Sequence, residues 1–222
     1  MNAHYFESDL KMPWGMIRLP LRCTFLTGPG VGILISPINF NFKQIMELKK
    51  LGEVTDIVAP SLLHHLYVGQ ARNHFPEARI WGLPGMEQKD PMVKWANIIG
   101  RDHWPYSDQV AELPVNGVPR MDEVAFLVKS EKLLIVTDLC FNLQKPKGWA
   151  APVMLRLLGT HKKLAVSRLI NRFMEDRAVF ESSIKRIMEW DFEKIAMAHG
   201  ELVLGDGKAL LREAFRRRGF MV

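Results

Sequence analysis

The stretch Val54-Thr55-Asp56-Ile57-Val58-Ala59-Pro60-Ser61-Leu62-Leu63-His64-His65 decides how the rest of the chain is read. Val54–Ala59 is a short apolar run of strand length, set between Gly52 and Pro60. It gives way to a segment carrying two adjacent histidines, and helical spacing is expected from Leu62 to Phe75. Two later runs have the same form. Lys132–Asp138 is a strand ending in Thr137-Asp138, and Lys194–Ala198 is a strand followed by His199-Gly200-Glu201. In sheets covered by helices, functional groups collect where strands give way to loops. Histidine and carboxylate from three strand ends suit one divalent ion of zinc, iron or manganese. The same residues also suit a metal-free network in which a histidine donates to Asp138.

Outward from this stretch the pattern alternates. Gly15–Thr27 and Val31–Ser36 read as strands joined at Gly28-Pro29-Gly30, a hairpin signal. Phe42–Leu51 has helical spacing and is closed by Gly52. Ala78–Leu83 is a further strand, and Pro84–Asp108 is loop with short helices. Val110–Val115, Glu123–Val128 and Lys132–Asp138 form a meander that turns at Lys129-Ser130-Glu131. Pro152–Leu158 and Leu164–Met174 are helical, continuing toward Trp190, and Asp206–Phe220 is a closing amphipathic helix. The expected class is α/β, with mixed sheets, helices outside and a single domain over 1–222.

Composition narrows the function classes. The chain has 222 residues, 48% hydrophobic and 24% charged, a profile that excludes collagen, coiled coil and extended disorder. No run approaches the roughly 20 apolar residues of a membrane-spanning helix. The N-terminus has no basic start followed by an apolar stretch, so no secretory signal is read. Cys23 and Cys140 lie in apolar runs and read as buried free thiols of a reducing, cytoplasmic compartment. Phosphate-loop, dinucleotide, serine-elbow and H-E-x-x-H motifs are all absent.

The net charge of +6 is concentrated. Between Leu143 and Met174 stand seven bases (Lys145, Lys147, Arg156, Lys162, Lys163, Arg168, Arg172) and no acid. Interleaved with them are Trp149, Met154, Leu155, Leu157, Leu158, Leu164 and Leu169. Such a segment suits a lid for a small anionic molecule, a peripheral contact with an acidic membrane surface, or a partner face such as a homodimer. No nucleic-acid recognition motif accompanies the charge.

Several segments carry a resemblance. Ile57–Leu66, Asp122–Phe126, Leu133–Leu139 and Met197–Glu201 resemble an uncharacterised family, the domain of unknown function 4336, an offshoot of the metallo-β-lactamase fold. The resemblance spans roughly Leu19 to Glu201. It implies a four-layer αββα sandwich, two mixed β-sheets flanked by helices, with a basic helical insertion at about 143–190. The superfamily motif H-x-H-x-D-H, laid onto this chain, falls on Pro60, Leu62, His64 and His65. The usual third histidine falls within Gly117-Val118-Pro119. The first metal position is therefore lost, because proline and leucine side chains offer no donor atom.

The resemblance leaves His64, His65, Asp138 and His199 as ligands of at most one ion, zinc, iron or manganese, or of none. Adjacent histidines at a helix start diverge by about 100 degrees, so two from one such pair reach a common ion only through a favourable loop. The implied chemistry is hydrolytic, with Asp138 as ligand and proton acceptor and the substrate open. Glu201, or a neighbouring carbonyl, would orient His199. His103, Lys145 and Lys147 are candidate substrate or lid contacts. The alternative is a non-catalytic descendant that binds a ligand or partner through its basic segment.

Overall fold

The computed structural model describes residues 1–11 and 13–222. The chain runs β1 (Asn2–Lys11), β2 (Arg18–Gly28), β3 (Val31–Ile35), α1 (Phe42–Leu51), β4 (Asp56–Val58), α2 (Val68–His74), β5 (Arg79–Gly82), α3 (Met86–Lys89) and β6 (Asn97–Ile98). It continues with β7 (Val110–Val115), β8 (Glu123–Val128), β9 (Leu133–Val136), β10 (Phe141–Asn142), α4 (Ala151–Leu158), β11 (Leu164–Ala165), α5 (Arg168–Phe173), α6 (Arg177–Glu189), β12 (Lys194–Met197) and α7 (Gly207–Arg217).

Two mixed sheets result. The first has the order β1-β2-β3-β4-β5-β6, antiparallel from β1 to β3 and parallel from β3 to β6. The second has the order β12-β9-β8-β7, with β12 parallel to β9 and the rest antiparallel. β10 and β11 form a small separate pair.

The alternation of side chains along the second sheet shows why there are four layers. Val124, Phe126, Val128, Leu133 and Ile135 point inward, sharing a core with Leu26, Ile33, Ile35 and Trp81 on the facing side of the first sheet, and Trp104 bridges Phe126 to Trp81. Their neighbours Ala125, Leu127, Leu134 and Val136 point outward onto Phe180, Ile184 and Ile187 of α6 and Leu211 and Phe215 of α7. Both faces are covered, so β8 and β9 are buried throughout and, apart from Glu123, read as apolar runs. Ile45 and Leu48 of α1, with Val68 and Ala71 of α2, are buried in the core of the first sheet. Cys23 and Cys140 are buried free thiols, as their apolar settings indicate, and burial pushes both well above the usual thiol range.

Three local readings change. The N-terminal strand β1 is an addition; it pairs with β2 over ten residues, yet buries only Phe6, so it lacks a strong apolar signature. The helix expected from Leu62 begins at Val68, because the preceding backbone is committed elsewhere. Ser61 bridges Glu123, and the Leu62 N–H donates to the Met121 and Asp122 carbonyls. The helix expected over Leu164–Met174 is divided: Leu164 and Ala165 pair with β10, and the Ser167 hydroxyl accepts the Leu169 N–H to start α5. Within the expected insertion at about 143–190, α6 belongs to the outer layer on the second sheet.

Candidate metal centre

Three strand ends meet at one point. The segment after β4 delivers His64, the end of β9 delivers Asp138, and the end of β12 delivers His199. Each has a donor atom within 4.8 Å of the others. The separations are shorter where the rings and carboxylate face. His64 Nε2 lies 3.2 Å from His199 Nε2 and 3.3 Å from Asp138 Oδ2, and His199 Nε2 lies 3.3 Å from Asp138 Oδ1.

The backbone explains how His199 is placed. Gly200 has a φ of +111°, and a Cβ there would fall 2.2 Å from the Asn142 carbonyl oxygen. Glycine is required for β10 to cross over the chain directly after His199. The His199 carbonyl accepts the Asn142 N–H, and Phe141 stacks flat on the His199 ring at 5.2 Å between centroids.

The proton positions follow from the outer partners. His199 Nδ1 is 2.8 Å from the Pro20 carbonyl oxygen. A carbonyl has no proton to give, so Nδ1 carries one, and in the neutral ring Nε2 presents its lone pair to Asp138. His64 Nδ1 is 2.9 Å from Ser36 Oγ, which can accept in the same way and leave the His64 Nε2 lone pair facing inward. Two lone pairs and a carboxylate then face one small volume. Asp138 is 7% exposed, and its Oδ2 has no well-aligned donor. Burial acts to raise Asp138, whereas the imidazoles beside it, when their facing nitrogens carry protons, hold it well below the usual carboxylate range.

This donor set fits one divalent ion. Donors about 2.1 Å from a tetrahedral ion lie about 3.4 Å apart, close to the observed edges. Two imidazoles and one carboxylate leave coordination positions for water or substrate.

Glu123 supports the centre from behind and is absent from the set the sequence suggests. Its carboxyl accepts the backbone N–H groups of both Thr137 and Asp138, the latter at 2.9 Å. Its backbone bridges Ser61 in the loop that leads to His64. Burial first, and then the Asp138 charge, push Glu123 up to about 8. The available signal was a single carboxylate opening the otherwise apolar run Glu123–Val128.

The remaining sequence candidates lie outside the centre. His65 does not join it: the two histidines sit in a loop, and His65 Nδ1 is 3.0 Å from the Leu62 carbonyl oxygen. Glu201 is exposed and meets Asn142 through its own backbone, so the Pro20 carbonyl takes the orienting role expected of Glu201. His103 is exposed in the loop after β6, beside Trp104, whose ring packs against Trp81. Lys145 and Lys147 line a recess with Glu7 and Glu201, and Lys147 is paired with Asp9 at 3.1 Å. Gly117, where the third superfamily histidine would fall, packs against the start of α6. A pocket of about 200 Å³ opens in front of the centre, walled by Leu19, Leu21, Ile38, Leu63, Leu66 and Tyr67. Among the described residues no lysine or arginine lines it.

No protein-family model matches the chain, and no curated protein matches it in sequence. Solved structures do match it in shape. A metallo-β-lactamase from Pontibacter korlensis superposes with a TM-score of 0.67 at 14% identity, covering 96% of this chain and 93% of that one. The metallo-β-lactamase FIM-1 from Pseudomonas aeruginosa, in its mono-zinc form, superposes with a TM-score of 0.67 at 12% identity, over 99% and 93%. The metal-soaked flavodiiron core of Flv1 from Synechocystis gives 0.64 at 12% identity, over 97% of this chain and 58% of that one. The two mixed sheets, their outer helices and these superpositions establish that the chain has the metallo-β-lactamase fold.

Proposed function

We propose that the protein is a metal-dependent hydrolase working with one divalent ion held by His64, Asp138 and His199. The observation that carries this reading is the convergence of two imidazole nitrogens and a carboxylate, all within 3.2–3.3 Å of a neighbour. Zinc and iron both accept such donors. A bound ion supplies Lewis acidity toward a carbonyl or phosphoryl oxygen and acidifies water.

The chain's own residues have separate tasks. Pro20 and Ser36 orient the two rings from outside, and Phe141 limits rotation of His199. Glu123 fixes the backbone that presents Asp138. Asp138, kept ionised, is the group able to take a proton from a reacting water. The apolar walls of the pocket exclude bulk water from the reacting bond.

Elemental analysis of untagged protein, purified without chelator, tests the reading. About one equivalent of zinc, iron or manganese is expected, with loss of that metal in Asp138→Ala and His199→Ala. The wild type should then hydrolyse members of an ester and phosphoester series, and the variants should not. Absence of metal after incubation with excess zinc or iron would overturn the hydrolase reading. The basic segment would then be the place to seek a binding function.

A further inference from the structure

A second pocket adjoins the centre and has no role in the reading above. It holds about 270 Å³ between the β2 entrance, β10, α4 and the segment leading into α5. Its walls include Ile17, Phe141, Leu143, Met154, Leu158 and Leu169. Leu19 and Asp138 line both this pocket and the one in front of the centre, so the two adjoin at these residues. Apart from Asp138, no charged side chain lines it among the described residues.

Its two hydroxyls differ. Ser167 Oγ accepts the Leu169 N–H at 3.2 Å and is occupied as a helix cap. Thr160 is 1% exposed, and its Oγ1 is buried without a partner. That oxygen is sealed from the pocket as well as from solvent, so neither hydroxyl sets a polar requirement on an occupant. Apolar walls beside a polar reacting group are the usual make-up of a site for an organic ligand. The volume is small for a ring system of drug size and suits a chain. Under the hydrolase reading the reacting carbonyl lies at the Asp138 side, and the chain that runs from it into these walls is an acyl chain.

We infer that this pocket binds the acyl chain of the substrate, with the reacting end of the molecule at the Asp138 side. The binding site stands on its own walls; its role in placing a substrate rests on the hydrolase reading. The specificity it confers is for an apolar acyl group. The lysines and arginines of the surrounding segment stand outside these walls, so an anionic group is not what the pocket selects.

Calorimetric titration with saturated carboxylates from hexanoate to decanoate tests the inference. Burial of each methylene strengthens binding by about fourfold until the pocket is full. Leu169→Trp and Leu158→Trp place an indole in the pocket away from the metal donors. Both should flatten the chain-length dependence while keeping the wild-type melting temperature and metal content. A flat series in the wild type, or an unchanged slope in both tryptophan variants, would overturn the acyl pocket. The same titration on His64→Ala separates the two readings. A wild-type slope there, in a protein whose parent takes up no metal, removes the centre and keeps the pocket; a metal-loaded wild type with a flat series does the reverse.

Discussion

His64 Nε2 and His199 Nε2 face each other at 3.2 Å from opposite sheets, with the Asp138 carboxylate 3.3 Å from each. Two ring nitrogens presenting lone pairs at this separation repel unless a proton or a cation lies between them. The Pro20 carbonyl holds the His199 proton on Nδ1, so the repulsion is removed by an ion at this point or by a proton on His64 Nε2, with the Ser36 hydroxyl then donating to His64 Nδ1.

The adjacent histidines should therefore behave differently. His64→Ala is expected to weaken zinc binding by more than about 100-fold, beyond the loss typical of an outer partner. His65→Ala should leave stoichiometry and affinity unchanged, because its ring is turned to the Leu62 carbonyl. Competition titration with a chromophoric chelator reads both. Equal losses would place both rings on the ion.

Ser36 holds the His64 ring from its Nδ1 side. Ser36→Ala removes the partner of Nδ1 without removing a donor to the ion. Zinc affinity should fall by about 10-fold, the lower end of the range for such partners. The far-ultraviolet dichroism should be that of the wild type. An affinity identical to wild type would show that the ring is oriented by packing alone.

Glu123→Ala strips the acceptors from two buried N–H groups, those of Thr137 and Asp138. At roughly 1–3 kcal/mol for each unmet group, the loss of stability is expected to be about 2–6 kcal/mol. Glu123→Gln keeps one acceptor oxygen and should fall between the alanine variant and the wild type. Urea unfolding gives the order, which a purely electrostatic role for Glu123 would not produce.

A second buried carboxylate supplies a control remote from the centre. Asp56, 0% exposed at the opposite end of β4, accepts from Trp81 Nε1 at 2.8 Å, Thr55 Oγ1 at 2.7 Å, Arg79 and Tyr106. Asp56→Ala should destabilise the fold by about 3 kcal/mol, the low end for a broken buried pair because Arg79 is half exposed. The folded fraction should keep the wild-type metal content, as measured by native mass spectrometry. Loss of metal from folded protein would mean that the two ends of β4 are coupled.

The fold was legible where the apolar spacing was regular. β7 and β8 span the expected residues, Val110–Val115 and Glu123–Val128, and α1 spans Phe42–Leu51, where apolar spacing and the Asn41 cap agree. β1 was not legible, because an edge strand that buries only Phe6 has little pattern to read. In the centre, Asp138, His64 and His199 were legible because each follows an apolar strand. His65 was included because the sequence does not reveal a ring turned back to the Leu62 carbonyl. The supports were hidden for a different reason: Pro20 acts through its main-chain oxygen, which no side-chain motif records.

The distance along the chain between the parts of the centre bears on how the molecule is assembled. His64 and His199 are 135 residues apart, and His199 and Pro20 are 179. Arg22, on the first sheet, donates to the Met197 carbonyl 175 residues later. Contacts of such long separation carry the largest closure entropy, so they are expected to close after the pairings within each sheet. The centre is thus a seam that appears with the docking of the two halves. An ion taken up there would bind the docked state alone and fasten it by mass action, so its arrival would mark the end of folding.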